Sequence, residues 1–329
     1  MQILISGIHG FVGSNLVSAL KEQHTIFGLD IVTPKKEGIS QTFRWNELDR
    51  IPPLDIIIHL AGKAHDTKNT SSVQDYFDIN VGLTQKIFQY FLHSSATKFI
   101  FFSSVKAAAD TVSGDILTEE VVPNPQTPYG KSKLEAEEYI LKELQKWREG
   151  EEAKRRSGDG ANKPVQIDKK VYILRPCMIH GPGNKGNLNL LFKIQQKGLP
   201  WPLGAFENKR SFCSVDNILF VVQQLIEKNI EPGIYQVADD EALSTNELIK
   251  LMASSQSKKA RIWHIPAKFI KAISQVGDRL HLPLNSERLK KLTESYLVSN
   301  QKIKKALGIA KMPVSAEKGL QKTFESFNN

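Results

Sequence analysis

A tyrosine and a lysine four positions apart are the side chains in this sequence with the clearest capacity for proton transfer. Tyr129 and Lys133 follow Pro128 at the start of a helix predicted over 129–147. A spacing of four places both side chains on one helix face, one turn apart. Tyrosine, with a pKa of about 10, is a poor base at neutral pH, but an adjacent ammonium favours the phenolate. We therefore expect Tyr129 to act as an acid–base group.

Two serines stand at the end of a predicted strand upstream of this pair. Ser103 and Ser104 close the apolar run that begins at Phe99. A serine hydroxyl at a strand end can hydrogen-bond the substrate oxygen that a tyrosine protonates or deprotonates. The serines therefore strengthen the prediction for Tyr129, because a tyrosine–lysine pair alone is common on helices.

Three glycines spaced three residues apart connect the first predicted strand to the first predicted helix. Gly7 permits a tight turn, Gly10 lets the backbone approach a pyrophosphate, and Gly13 allows close helix–strand packing. Asp30 ends the second predicted strand, where a carboxylate can accept both ribose hydroxyls and would repel a 2′-phosphate. The pattern predicts a dinucleotide site that favours NAD over NADP.

Short apolar runs alternate with helical patterns over the first part of the chain, which is typical of strand–helix–strand units in a parallel sheet. Strands are predicted over 2–6, 25–29, 42–45, 56–60, 99–103, 170–174 and 233–238. Helices are predicted near 11–22, 74–94 and 129–147, and over 246–253 after a Ser244–Glu247 capping box. We expect an α/β fold, with a Rossmann-type doubly wound parallel sheet and a smaller C-terminal substrate lobe.

The two lobes divide the chain unequally. Residues 1–176 are predicted to form the dinucleotide-binding domain, with a charged, glycine-containing insertion at about 148–169 that we interpret as a solvated loop. Residues 177–329 are predicted to form mainly the substrate lobe, with about 211–238 returning to the sheet.

Composition excludes several classes of protein. The 329 residues carry a net charge of +9, but no zinc spacing and no aromatic residues interleaved with the basic ones, so we expect no nucleic-acid binding. No apolar run reaches the roughly 20 residues that span a bilayer, and the first strand leaves no room for a signal peptide. We expect a cytoplasmic protein without membrane insertion, and the two cysteines, Cys177 and Cys213, to be packing residues.

The ordered motifs resemble the extended short-chain dehydrogenases/reductases, the group of nucleotide-sugar epimerases, dehydratases and reductases. The matching segments are the three-glycine turn, Asp30, His59-Leu60-Ala61-Gly62, Asn80-Val81, Ser103-Ser104, Tyr129-Gly130-Lys131-Ser132-Lys133, Leu174-Arg175-Pro176 and Arg210-Ser211-Phe212. The resemblance implies that Ser104, Tyr129 and Lys133 are catalytic, and that Lys133 also holds the nicotinamide ribose.

It also implies the remaining binding residues. Those expected to contact NAD are Gly7, His9, Gly10, Phe11, Val12, Gly13, Asp30, Leu60, Ala61, Gly62, Asn80, Ser103, Tyr129, Lys133 and Pro176. Those expected to contact a UDP-sugar are Ser104, Tyr129, Asn187, Arg210 and Arg288, with His65 as a further candidate. No residues are expected to bind a metal. A homodimer through the helices near 74–94 and 129–147 is expected by analogy with the family.

The residues after Ser104 narrow the reaction. Family members that eliminate water carry an Asp-Glu pair there, whereas this chain has Val105 and Lys106, so dehydration is not expected. Two reactions remain: 4-epimerisation of a UDP-hexose or UDP-N-acetylhexosamine, and reduction of a UDP-4-keto-6-deoxy sugar by NADH or NADPH. Asp30 favours epimerisation, while segments such as Ile179-His180-Gly181-Pro182-Gly183 look like surface-polysaccharide enzymes, several of which are reductases. A catalytically silent NAD-binding module is a remoter alternative.

Overall fold

Ten strands and eleven α-helices form within residues 1–64, 72–112, 114–156, 168–184, 186–280 and 285–328, the part of the chain that the computed structural model describes. The strands are β1 (Gln2–Ser6), β2 (Thr25–Leu29), β3 (Gln41–Phe43), β4 (Ile56–His59), β5 (Lys98–Phe102), β6 (Lys170–Pro176), β7 (Met178–His180), β8 (Arg210–Ser214), β9 (Gly233–Val237) and β10 (Ala242–Leu243). The helices are α1 (Phe11–Leu20), α2 (Val73–Asn80), α3 (Gly82–His93), α4 (Pro128–Arg156), α5 (Asn187–Gln196), α6 (Val215–Glu227), α7 (Thr245–Ser254), α8 (Ala267–Leu280), α9 (Ser286–Thr293), α10 (Gln301–Leu307) and α11 (Ala316–Glu325).

Seven strands form one large sheet in the order β3-β2-β1-β4-β5-β6-β9, and the pairings from β3 through β6 are parallel. The order reverses between β1 and β4, which opens a crevice beyond the carboxyl ends of these two strands. Ile3, Leu4 and Ile5 of β1 are fully buried, as expected for a central strand covered on both faces. The doubly wound parallel sheet predicted from the sequence is confirmed.

The chain divides into two compact units. The first contains Met1–Asp110, Glu119–Pro176 and Val221–Gln236, and the second contains Thr111–Thr118, Cys177–Phe220 and Val237–Asn329. The second unit has its own three-stranded sheet, in which β8 pairs with β7 in parallel and with β10 antiparallel. Within the range of about 211–238 that was expected to return to the large sheet, β9 lies in that sheet. Most of β8 falls in the same range, but β8 pairs with β7 and β10 in the smaller sheet.

The helix predicted near 74–94 is divided in two at Val81. Ser72 and Asp75 form a capping box at the start of α2. At its end, the hydroxyl of Thr84 donates to the carbonyl oxygen of Asn80 at 2.6 Å. Such a side-chain bond to the preceding turn bends helices, which explains the interruption.

Helix α4 runs much farther than the sequence predicted. It continues through Arg156, so the interpretation of residues 148–156 as part of a loop insertion is wrong. Glutamate and lysine, both good helix formers, dominate this stretch, and ion pairs such as Lys154–Glu151 at 2.8 Å lie one turn apart along it. None of the described helices is both long enough and apolar enough to cross a membrane.

Candidate active site

The turn after β1 has the close backbone contacts that only glycine tolerates. Gly7 adopts a positive φ of 68°, and its N–H donates to the carbonyl oxygen of Leu29 at 2.8 Å. A Cβ on Gly13 would lie 2.6 Å from the carbonyl oxygen of Gly7 and 2.7 Å from that of Ile8. These contacts hold the start of α1 directly against β1, with its first N–H groups at the carboxyl edge of the sheet.

The groups around this turn suit a dinucleotide. Gly10, at the N-cap of α1, provides no side chain to cap the helix, so the first N–H groups of α1 suit a pyrophosphate. The Asp30 carboxylate is held in place because it accepts the N–H groups of His9 at 3.1 Å and Ile31 at 2.8 Å. Among the described residues, Nε2 of His9 is buried with no hydrogen-bond partner. Three features together fit a bound dinucleotide. They are the N–H groups at the start of α1, the buried Nε2 of His9 and the oriented carboxylate of Asp30.

A buried histidine links β1 and β4 where the crevice opens. The Thr84 hydroxyl donates its proton to a backbone carbonyl, so its oxygen accepts from Nε2 of His59 at 2.9 Å. Because Nε2 carries the proton of the neutral ring, Nδ1 of His59 accepts from the hydroxyl of Ser6 at 2.6 Å. The Ser6 oxygen in turn accepts the N–H groups of Leu60 and Ala61, each at 3.2 Å. Burial, with a smaller effect from Lys133, holds the pKa of His59 well below its usual value. A neutral imidazole thus fixes the segment expected to contact the cofactor.

Asn80 joins this segment to the start of α4. Its Oδ1 accepts the N–H of Lys63 at 2.8 Å, while its Nδ2 donates to the hydroxyl of Ser132 at 2.9 Å. A Cβ on Gly62 would lie 2.8 Å from Oδ1 of Asn80 and 3.0 Å from Nζ of Lys133. Gly62, Asn80 and Lys133 therefore lie together, and all three are among the residues expected to contact NAD.

The start of α4 packs tightly against the 3-10 turn after Ser104. A Cβ on Gly130 would lie 2.5 Å from the carbonyl oxygen of Lys106, so the residue after Tyr129 must be glycine for this approach. The Asp110 carboxylate fixes the chain just before the helix by accepting the backbone N–H of Thr127 at 2.9 Å and its hydroxyl at 2.9 Å. These contacts bring Tyr129 to the end of β5.

The side chains of Tyr129 and Ser104 are close enough to interact. Burial raises the pKa of Tyr129 above its usual value, and the Ser104 hydroxyl lowers it in part. This differs from the sequence expectation that Lys133 lowers the pKa of Tyr129, because Nζ of Lys133 donates instead to the carbonyl oxygen of Phe102 at 2.9 Å. Without a further positive charge, Tyr129 is a neutral phenol that can donate a proton.

Lys133 lies in a low-dielectric setting. Only 4% of its surface is exposed, and its Nζ lies 5.0 Å from the centroid of the Phe101 ring. Burial lowers the pKa of Lys133 to about 8, while the Glu137 carboxylate acts in the opposite direction. At neutral pH the side chain is therefore mainly an ammonium.

Glu137 belongs to a buried ion pair that the sequence analysis missed. Nε of Arg175 donates to Oε1 of Glu137 at 3.0 Å, and the hydroxyl of Ser103 donates to the same carboxylate. Ser103 therefore contacts Glu137, whereas Ser104 is the serine whose hydroxyl affects the pKa of Tyr129. The available signal was the spacing of Glu137, four residues after Lys133 on the same helix.

The other predicted residues fall in both units. Phe11 and Val12 begin α1 and are partly buried, and Pro176 ends β6 and is buried. In the second unit, Nε of Arg210 donates to the carbonyl oxygen of Glu294 at 3.2 Å, and burial lowers the pKa of this guanidinium. Asn187 begins α5 and Arg288 lies within α9, but both side chains, and all of His65, lie outside the described part of the chain.

A family model described as the NAD dependent epimerase/dehydratase family matches residues 3–238, which is more than half of the chain. The chain belongs to this family. The expected family and the expected cofactor, NAD, are thereby confirmed. The groups of this chain that fit NAD are the glycine turn, His9 and Asp30.

Named relatives and one solved structure agree with this assignment. The chain is 26% identical to UDP-glucose 4-epimerase of Vibrio cholerae over 99% of its own length and 95% of the relative's. It is 28% identical to N-acetyl-alpha-D-glucosaminyl-diphospho-ditrans,octacis-undecaprenol 4-epimerase of Escherichia coli O157:H7. This match covers 80% of this chain and 75% of the relative. The NAD complex of UDP-glucuronic acid 4-epimerase from Bacillus cereus matches with a TM-score of 0.70 at 19% identity, covering 100% of this chain and 99% of that one. The last comparison shows the shared fold.

Proposed function

We propose that this protein inverts C4 of a hexose or N-acetylhexosamine carried on a diphosphate, with UDP as the carrier. The observation that carries the proposal is the neighbouring Ser104 and Tyr129, on the same unit as the cluster of Gly62, Asn80 and Lys133, with no carboxylate in the two positions after Ser104. Such a site offers Tyr129 for proton transfer and lacks the two carboxylates after the serine that would act as acid and base in eliminating water. The two relatives described above are named as 4-epimerases of sugars linked to a diphosphate, which supports the same reaction.

Tyr129 and Ser104 handle the proton and the oxygen at C4. Tyr129 as phenolate takes the proton of the C4 hydroxyl, and Ser104 donates a hydrogen bond to the same oxygen as it becomes a carbonyl. NAD, held by the groups around the glycine turn and by Lys133, would supply both the acceptor and the donor of hydride, so that C4 could be oxidised and then reduced on its other face. Tyr129 then gives its proton back to the oxygen, so that no cofactor and no proton is consumed overall.

Lys133 has two roles in this proposal. Its ammonium holds the nicotinamide ribose by hydrogen bonding, as the family resemblance implies. By fixing the ribose it places the positive nicotinamide ring, whose charge would oppose the effect of burial on Tyr129 and favour the phenolate. We propose that Arg210, Asn187 and Arg288 contact the nucleotide diphosphate or the sugar, since an arginine fork suits a pyrophosphate.

The test compares two substrates. The purified protein is incubated with UDP-N-acetylglucosamine and NAD, and separately with a UDP-4-keto-6-deoxy sugar and NADH or NADPH. We expect conversion of the first sugar to its C4 epimer, detected by chromatography and NMR, without net change in cofactor oxidation. Net cofactor oxidation with the keto sugar, and no epimer in the first reaction, would replace the proposal by the reductase alternative.

Replacement of Tyr129 by phenylalanine tests its assignment. Because general acid–base catalysis contributes typically 10²–10⁴-fold, we expect Tyr129→Phe to lower kcat by about a thousandfold while NAD binding, followed by fluorescence titration, is retained. Tyr139→Phe on the same helix is the matched control, since the Tyr139 hydroxyl contacts only Gln89 among the described residues. Equal turnover in Tyr129→Phe and the control would remove Tyr129 from its role.

We also propose that the protein is a homodimer through α3 and α4, as family analogy suggests. Leu141 on α4 is exposed, which supports an apolar contact at this face. Light scattering coupled to size exclusion measures the mass directly, and a monomeric mass at micromolar concentration would contradict this part of the proposal.

A further inference from the structure

A groove in the second unit combines apolar walls with a solvent-facing opening. It has a volume of about 730 Å³ and lies between the end of α5 and residues 258–261. Ile194, Leu199 and Trp201 contribute apolar surface, and Leu199 is 55% exposed. Exposed aliphatic side chains grouped in one groove, rather than scattered singly, indicate a binding surface.

Four basic side chains surround the same groove. Lys197, Lys258, Lys259 and Arg261 all line it and all are exposed, and no aspartate or glutamate is among its lining residues. The surrounding sequence shows the same imbalance, because residues 248–277 contain six lysines and arginines and no acidic residue. Two thirds of the net charge of the whole chain is therefore concentrated in this short stretch.

Helix α8 extends the apolar surface. Ile270 and Ser274 face inward and are buried, whereas Phe269, Ile273 and Val276 form an exposed stripe at helical spacing, with Phe269 60% exposed. Trp201 places α8 beside the groove, since it lines the groove and also packs against the buried cluster that contains Ile270, on the inner face of α8. A lysine-bearing helix with an exposed aromatic and aliphatic stripe is typical of segments that lie in a membrane interface.

The chemistry of this face selects one partner among three. A second copy of the chain would bring the same cations against each other, which is unfavourable. A nucleic acid would satisfy the lysines through its phosphates, and a base could stack on Phe269, but the aliphatic Ile194, Leu199 and Ile273 are not the aromatic platforms that single strands use. An anionic lipid offers both a negative headgroup and acyl chains.

We propose that the groove and the α8 stripe bind the surface of an anionic phospholipid bilayer. Lys197, Lys258, Lys259 and Arg261 attract the lipid phosphates, while Leu199 and Phe269 insert at the level of the headgroups. This docking is independent of the proposed reaction, and its test does not use turnover.

The test is flotation of the full chain with vesicles at low and high salt. We expect binding to mixed phosphatidylglycerol–phosphatidylcholine vesicles, little binding to phosphatidylcholine alone, and loss of binding as salt screens the charges. A lysine near an anionic surface contributes about a fivefold gain in partitioning, so Lys197→Glu combined with Lys259→Glu should lower it at least about twentyfold. Ile194→Ser combined with Leu199→Ser should lower it by about tenfold.

Two matched variants test whether the face itself is responsible. Lys305→Glu combined with Lys318→Glu changes the net charge equally at exposed lysines of α10 and α11, and Val122→Ser removes an exposed apolar side chain elsewhere. Both should bind within about twofold of the unmodified chain.

Several results would overturn the proposal. Equal binding of the chain to both kinds of vesicle would overturn it, as would an equal loss of vesicle binding in the groove variants and the control variants. Displacement of the chain from vesicles by excess UDP would instead make the groove a nucleotide site. A salt-dependent shift of a single-stranded RNA, with no vesicle binding, would assign the face to nucleic acid instead.

Discussion

Lys133 is surrounded by a carbonyl oxygen, an aromatic ring and a carboxylate, and its charge depends on their balance. Burial lowers its pKa to about 8, and Glu137 opposes this effect. A lysine that must be an ammonium to hold a ribose loses that role as the pH rises through its pKa. The alkaline limb of the kcat/KM profile, which reports groups of the enzyme before the substrate binds, should therefore lie near pH 8.

Replacement of Glu137 tests this balance. Glu137→Gln removes the negative charge that raises the pKa of Lys133, so the alkaline limb should move to lower pH. The change also leaves Arg175 buried without its partner, which should lower the free energy of unfolding by about 3–5 kcal/mol. The pH dependence of kcat/KM is measured below the melting range of the variant.

The neighbouring Glu138, which is exposed on the same helix, supplies the control. Glu138→Gln should leave both the pH profile and the stability unchanged. If the alkaline limb of the pH profile lies at the same pH in Glu137→Gln and in the unmodified chain, Lys133 is not the group whose titration causes it.

At the scale of elements, the first helix depends on a glycine that touches backbone. A Cβ on Gly13 would lie within 2.8 Å of three backbone atoms that cannot move independently. We expect Gly13→Ala to push α1 away from β1, to lower the free energy of unfolding by about 1–3 kcal/mol and to abolish NAD binding. Denaturation and fluorescence titration measure the two effects.

Gly82 on α3 provides the opposite case. A Cβ there would meet nothing within 4 Å, so Gly82→Ala should raise stability by about 0.5–1 kcal/mol, because alanine loses less backbone entropy in a helix. Similar effects from the two substitutions would contradict the steric argument for Gly13.

A buried lysine stabilises the end of α3. Nζ of Lys169 donates to the carbonyl oxygens of Phe91, Ser94 and Ala96, each at 2.7 Å, where a helix end leaves carbonyls without partners. Lys169→Met should lower the free energy of unfolding by about 2–3 kcal/mol, measured by urea denaturation. Lys86→Met, at an exposed position of α3, should change it by less than about 0.5 kcal/mol.

The elements that the sequence predicted well are those fixed by local pattern. β1 and β2 were predicted with their observed bounds because each is an apolar run bounded by turn residues. The bend at Val81 was missed because it depends on the side-chain bond between Thr84 and Asn80. β7 and β8 were missed because they are short, and because only their pairing with each other makes them strands.

The same distinction holds for the site. Ser104, Tyr129 and Lys133 could be located from their positions at a strand end and a helix start. The contacts around these residues could not be located from the sequence. Glu137 and its partner Arg175 are 38 residues apart in the chain, and His59 and its partner Ser6 are 53 residues apart. No local pattern encodes such pairs, which arise only when the parallel sheet brings its strand ends together.

For the whole molecule, the cofactor should act as a stabilising ligand. NAD at a hundred times its Kd should raise the free energy of unfolding by about 2.7 kcal/mol, because it binds only the folded chain. NADP at the same concentration should give a smaller shift, since Asp30 repels a 2′-phosphate. Thermal melting with each cofactor measures the difference, and an equal shift would contradict the proposed role of Asp30.

The path of the chain through the two units has a consequence for its synthesis. β6 ends at Pro176, but its neighbour in the large sheet, β9, begins only at Gly233. While the ribosome adds the intervening residues, β6 is an edge strand whose unpaired backbone N–H and C=O groups can pair with another extended segment. The nascent chain is therefore most exposed to misassociation during this interval, and a ribosome stalled between these strands should hold a chain that chaperones bind.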